Sequence, residues 1–171
     1  MRLFIAIKFN AQVINDLVKL QAELKDCGAE GNFTRPENLH LTLAFIGEYG
    51  NPYDVLEVME TVPFKPIPLR FECLQHFRDM YFARIEHTPE LESYVRRLRR
   101  VLSENGIPFD RKKFSPHITL IRKVSFRDGI LEKVPENINV KETVAAAVSL
   151  MHSERGKRGM IYTEIGGIDG D

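Results

Sequence analysis

Two hydrophobic periods alternate along the chain. Residues 2–9 (RLFIAIKF) are a nearly unbroken apolar run, the pattern of a buried strand. Asn10 is a helix-capping residue type, and Val13, Ile14, Leu17, Leu20 and Leu24 then recur at helical spacing until Gly28 supplies a stop. Residues 32–38 (NFTRPEN) are turn-rich, and 39–46 predict a strand closed by Gly47. Residues 52–62 place Val55, Leu56, Met59 and Val62 on one face of a short helix. Strands are predicted over 69–77 and 80–85, with Arg78 and Asp79 at the turn. Thr88-Pro89 opens a helix with a hydroxyl cap, proline at the first position and Glu90 and Glu92 near its positive end. Leu91, Val95, Leu98 and Leu102 form its buried stripe, and Gly106 and Pro108 end it. A strand over 117–121 follows, then a short helix or loop over 126–135. The closing strands are predicted at 139–151 and 160–165, around a turn at 155–159.

Strands outnumber helices in this order and lie in neighbouring pairs. That argues for an α+β fold of mainly antiparallel sheet rather than a doubly wound parallel sheet. A chain of 171 residues has the length of a single domain, 1–171. At this size folding buries about two-thirds of the surface that the unfolded chain exposes.

Charge and cysteines narrow the function classes. The 24 basic and 24 acidic residues cancel, so the chain as a whole is not a general polyanion binder. Residues 96–123, however, hold nine basic residues against Glu104 and Asp110. Such a stretch predicts either a focused anionic partner or a solvated helix face. Cys27 and Cys73 form no CxxC, and no Cys/His cluster has zinc spacing, so no metal site is expected. Two thiols fit a reducing cytoplasm. The N-terminal apolar run is too short for a signal peptide and is interrupted by Lys8, and residues 144–151 are too few to span a bilayer. A soluble cytoplasmic protein without membrane attachment is expected.

One short pattern occurs twice. His40-Leu41-Thr42-Leu43 matches His117-Ile118-Thr119-Leu120, each in a predicted strand after a proline-containing loop. Strand side chains alternate faces, so His and Thr share one face of each copy and the apolar pair shares the other. If the two strands meet, two imidazoles and two hydroxyls converge. Histidine titrates near neutrality, so one ring can take a proton while its partner gives one. The hydroxyls can donate to phosphate oxygens. His76, His87 and His152 lack the pattern and are expected to be ordinary polar residues.

At these residues the sequence resembles the 2H phosphoesterase family, which is defined by two HxTx motifs. RLFIAIKF is similar to the family's opening strand, TRPENLHLTLAFIGE to its first-motif segment and KFSPHITLIRK to its second. VSLMHS and Tyr162 resemble its closing strands. Within the family the match is to the branch of bacterial RNA 2′,3′-cyclic phosphodiesterases, also called 2′-5′ RNA ligase-like. The resemblance implies two pseudo-symmetric lobes with outer helices, facing each other across a central cleft. It implies hydrolysis of a 2′,3′-cyclic phosphate, on an RNA end or a small cyclic nucleotide, to a 2′-phosphate, with no metal or cofactor. On this match His40 is the proton donor to the leaving 3′ oxygen and His117 the base that activates water. Thr42 and Thr119 match phosphate-binding hydroxyls, and Arg122 matches a basic residue of the family's HxTLxR pattern. No obligate protein partner is evident, and a monomer is expected.

Arg122 poses a problem of parity. It is five residues after His117, so an ideal strand points it to the opposite face. A phosphate contact requires the strand to end, twist or bulge at Ile121 or Arg122. Two alternative functions stay open at this point. One is ATP-independent 2′-5′ ligation of RNA, the same chemistry reversed. The other is a non-catalytic module that binds RNA ends, with the 96–123 segment for phosphates and Tyr81, Phe82 or Phe114 for base stacking.

Overall fold

In the computed structural model of the chain, which describes residues 1–127 and 134–171, the N-terminal run forms β1 (Arg2–Lys8). Leu3, Ile5 and Ile7 enter the main core, while Phe4 and Ala6 join a smaller cluster on the opposite face. A strand covered on both faces gains from apolar residues at every position. In α1 (Ala11–Asp26) the Asn10 side chain accepts a hydrogen bond from the Val13 N–H at 3.0 Å, and Val13, Leu17, Leu20 and Leu24 are buried. There follow β2 (Ala29–Phe33), a single 3-10 turn (Pro36–Asn38), β3 (His40–Glu48), α2 (Pro52–Glu60), β4 (Ile67–Leu69), β5 (Phe71–Phe77) and β6 (Met80–Ile85). The chain continues through α3 (Pro89–Glu104), β7 (His117–Phe126), β8 (Thr143–Ala145), β9 (Ala147–Gly156) and β10 (Gly159–Asp169).

The strands form two four-stranded sheets, in the orders β10-β9-β1-β3 and β2-β7-β6-β5, and a small pair β4-β8. Every strand pairing among the described residues is antiparallel. The α+β expectation therefore holds, with the two sheets as lobes that meet where β3 approaches β7. Their inner apolar faces share one continuous core. No helix among the described residues is long and apolar enough to cross a membrane.

Several boundaries differ from expectation. β2 occupies the start of the stretch read as turn. The predicted 69–77 strand begins at Phe71, because Ile67–Leu69 pairs separately with β8. Residues 139–142 lie outside any strand. Of the predicted helix or loop over 126–135, Phe126 ends β7, and 128–133 lie outside the described residues.

The two sequence halves are exchanged in space. The first long helix, α1, packs on β2 and β7, whereas the second, α3, packs on β3. Each half thus lends its 16-residue helix to the strand carrying the other half's motif.

Candidate active site

The strand order brings the repeated motifs together. His40, Thr42, His117, Thr119 and Arg122 line one cavity of about 100 Å³, joined by Thr34, Asn38 and Tyr162. All five residues singled out from the sequence are in that set. Among the described residues no group of three or more His, Cys, Asp or Glu side chains gathers as a metal-ligand set.

The two histidines are held alike. His40 Nδ1 lies 2.6 Å from the Asn38 carbonyl, and His117 Nδ1 lies 2.7 Å from the Ser115 carbonyl, in each case two residues back. A carbonyl oxygen only accepts, so each Nδ1 carries its hydrogen and each Nε2 is left for proton exchange. His40 Nε2 sits 2.8 Å from Thr42 Oγ1. Each ring also rests on a phenylalanine of the adjacent strand, His40 on Phe4 at 4.9 Å and His117 on Phe82 at 4.7 Å between centroids. Tyr162 meets His40 edge-on at 5.3 Å.

The parity problem of Arg122 is resolved by a bulge. Along β6, Phe82 pairs with Thr119 and the next residue, Tyr81, pairs with Ile121, so Leu120 is an extra residue. Leu120 and Ile121 are consequently both buried, and Arg122 swings onto the face of His117 and Thr119. The first motif does the same. Ala6 pairs with Thr42 and Ile5 with Ala44, leaving Leu43 as the extra residue, and Leu43 and Ala44 are both buried. Phe45 is therefore the positional counterpart of Arg122. The Arg122 Nη1 lies 3.3 Å from Met80 Sδ, a weak acceptor that orients the guanidinium without neutralising it.

Burial is the largest influence on His40 and pushes its pKa down; the Arg122 guanidinium and His117 push the same way, against the Asn38 carbonyl. By itself the site favours a neutral His40. A bound phosphate reverses that balance, because a nearby anion favours the imidazolium. Inorganic phosphate is thus expected to raise the His40 titration midpoint in ring-selective NMR, and Arg122→Ala to raise it in phosphate-free protein. A midpoint indifferent to both would sink this electrostatic coupling.

Sequence reasoning missed Thr34 and Asn38. Asn38 is buried, its carbonyl holds His40, and its side chain donates to the Met160 carbonyl at 2.9 Å, tying the motif loop to β10. Arg35 donates to the same carbonyl. The only signal available was the shared spacing of Asn38 and Ser115 from their histidines.

The basic 96–123 segment splits in two. Arg99 is partly buried and donates to the Leu43 and Lys112 carbonyls, while Arg100 pairs with Glu104 along the outer face of α3. Of that segment's basic residues, Arg122 and Lys123 line the cavity or the groove beside it, and the solvated-helix reading holds for Arg96, Arg97 and Arg100 but not for Arg99. Positive charge comes instead from Arg35, Arg155 and Arg158, which with Arg122 and Lys123 line a groove of about 660 Å³ beside the cavity, with no acidic residue among the described residues of its lining. Of the three residues expected to stack bases, Tyr81 and Phe82 are 6% and 8% exposed and belong to the interior, and Phe114 packs partly buried against the core, outside the cavity lining. His76 stacks on Tyr81, and His87 pairs with Glu92.

The chain is 30% identical over 149 residues to the RNA 2′,3′-cyclic phosphodiesterase of Thermotoga maritima, covering 81% of this chain and 78% of that protein. It is 25% identical over 171 residues to the protein of the same name from Aquifex aeolicus, covering 92% and 91%. Among solved structures it superposes on the TT0787 protein of Thermus thermophilus with a TM-score of 0.80 at 26% identity, covering 99% of this chain and 97% of that one. It also superposes on E. coli LigT complexed with 3′-AMP, with a TM-score of 0.79 at 21% identity, covering 99% and 96%. The model of the LigT-like phosphoesterase family matches residues 7–81 and 85–162, a span that contains both histidine motifs, and the chain belongs to that family.

Proposed function

We propose that the protein hydrolyses 2′,3′-cyclic phosphate ends of RNA to 2′-phosphates by a metal-independent, two-histidine mechanism. The observation that carries this reading is the pair of His-Thr faces on one small cavity, each imidazole fixed through Nδ1 by a carbonyl. His117 Nε2, neutral, takes a proton from water as the water oxygen bonds to phosphorus. The bond from phosphorus to the 3′ oxygen breaks on the far side, and His40, protonated, gives its Nε2 proton to that oxygen. The products are a 2′-phosphate and a 3′-hydroxyl, and the two histidines have exchanged protonation states. Thr42, Thr119 and Arg122 donate to the non-bridging oxygens, where charge builds up.

An RNA substrate is supported by the basic groove that runs on from the cavity, and by the names of the Thermotoga and Aquifex relatives. Phosphate contacts along such a groove give salt-sensitive, sequence-independent affinity. The test is turnover of an RNA with a 2′,3′-cyclic end in EDTA, with the product followed by 31P NMR. Sustained turnover yielding the 2′-phosphate is expected. Loss of activity on chelation would overturn the metal-free mechanism, and a 3′-phosphate product would overturn the leaving-group assignment.

A further inference from the structure

The bulge that aims Arg122 is supported by one buried side chain. Gln21 of α1 is 5% exposed, and its amide donates to the Leu120 carbonyl at 3.0 Å and to the Thr34 carbonyl at 2.8 Å. Leu120 is the extra residue of β7, and its carbonyl also accepts from the Thr34 N–H at 3.0 Å. The first motif has a matching device. The carbonyl of its extra residue, Leu43, accepts from Arg99 Nε at 3.2 Å and Nη2 at 2.9 Å. Gln21 and Arg99 occupy the same position, the eleventh residue, of their 16-residue helices. A bulge turns a carbonyl out of the regular ladder, and a buried carbonyl needs a donor. In both lobes the exchanged helix supplies a side-chain donor, beside the Thr34 N–H in the case of Leu120. The recurrence marks the bulge as part of the architecture rather than a local defect.

We infer that Gln21 is a positioning residue for the reaction: it locks the β7 bulge and so fixes Arg122 on the phosphate-binding face. This rests on the role proposed above for Arg122. Without the extra residue, strand alternation returns Arg122 to the core side with Ile118 and Leu120. Gln21 is not among the residues that line the cavity and acts through β7. The same amide holds Thr34, the other wall of the cavity, against β7.

The inference is tested by a double-mutant cycle on a nucleoside 2′,3′-cyclic phosphate, using Gln21→Met and Arg122→Ala. Methionine keeps the shape of glutamine and removes the donor. Gln21→Met is expected to lower kcat/KM by about 10- to 100-fold, the scale of a misplaced contact. In the Arg122→Ala background the same change is expected to alter kcat/KM by less than about twofold, while its Tm penalty persists. A purely structural role lowers Tm in both backgrounds and leaves kcat/KM per folded molecule unmoved in both. Should Gln21→Met fail to fold, Gln21→Asn, which keeps an amide but withdraws it by one methylene, serves the same cycle. If Arg122→Ala has no effect, the reading of Arg122 falls and this inference falls with it. If Arg122→Ala is impaired but the Gln21 variant turns over normally, or if the two losses multiply, the inference alone is overturned.

Discussion

His117→Ala is expected to lower kcat on a 2′,3′-cyclic phosphate by about 10²–10⁴-fold, the usual contribution of one positioned acid or base. The effect should fall on turnover more than on folding. His117 is only partly buried, at the start of β7, and its ring covers Phe82 without entering the core. His40→Ala is expected to lose as much in turnover but to cost more stability. Its ring fills the space between Phe4 and Tyr162, and the buried Asn38 carbonyl loses its donor. The double variant should lose far less than the product of the two single losses, because groups that act as one unit are not additive. Turnover by chromatography and Tm by circular dichroism check this together. Wild-type turnover in either well-folded single variant would sink the acid–base pair.

Much of this site was legible because strand chemistry is periodic. The two HxT segments announce a polar and an apolar face through parity alone, and the structure places both polar faces on one cavity. The capping signals at Asn10 and Thr88 placed the starts of α1 and α3 correctly. β2 was hidden because AEGNF has almost no apolar alternation; it is a strand by virtue of pairing with β7, a partner far away in sequence. β4 was hidden for a related reason, since Pro68 sits in its middle and the strand survives in a short pair. The bulges leave a trace in the sequence beyond the parity of Arg122. Leu43-Ala44 and Leu120-Ile121 are consecutive apolar pairs that break alternation at the same step of each motif, and a phase slip of that kind is the sequence trace of an extra residue. The groove's charge was not legible, because Arg35, Arg122, Arg155 and Arg158 are scattered and converge only through the order of the sheets.

That order also makes one glycine decisive. Gly31 of β2 lies across from the end of the motif strand, where Glu30 pairs with Ser125 and Asn32 with Arg122, so two β7 residues face one of β2. Lys123 takes a left-handed backbone there, with φ of 54°. A Cβ on Gly31 would stand 2.7 Å from the carbonyl oxygens of both Arg122 and Lys123. These are backbone atoms on either side of a strained residue, so relief requires β7 or β2 to move. Gly31→Ala is therefore expected to cost about 1–3 kcal/mol of stability, as overpacking does. It is also expected to cost about 10- to 100-fold in kcat/KM, the penalty of displacing a binding group by a fraction of its reach. Gly47 provides the control. It also has positive φ, +84°, but a Cβ there meets nothing within 4 Å. Gly47→Ala should cost about 1–2 kcal/mol for the left-handed backbone and leave kcat/KM close to wild type. Urea denaturation and steady-state kinetics on the two variants separate the effects. Equal losses of kcat/KM would mean that general destabilisation, not the aim of Arg122, governs activity. A Gly31 variant that loses activity alone, at matched stability, ties turnover to the close approach of β2.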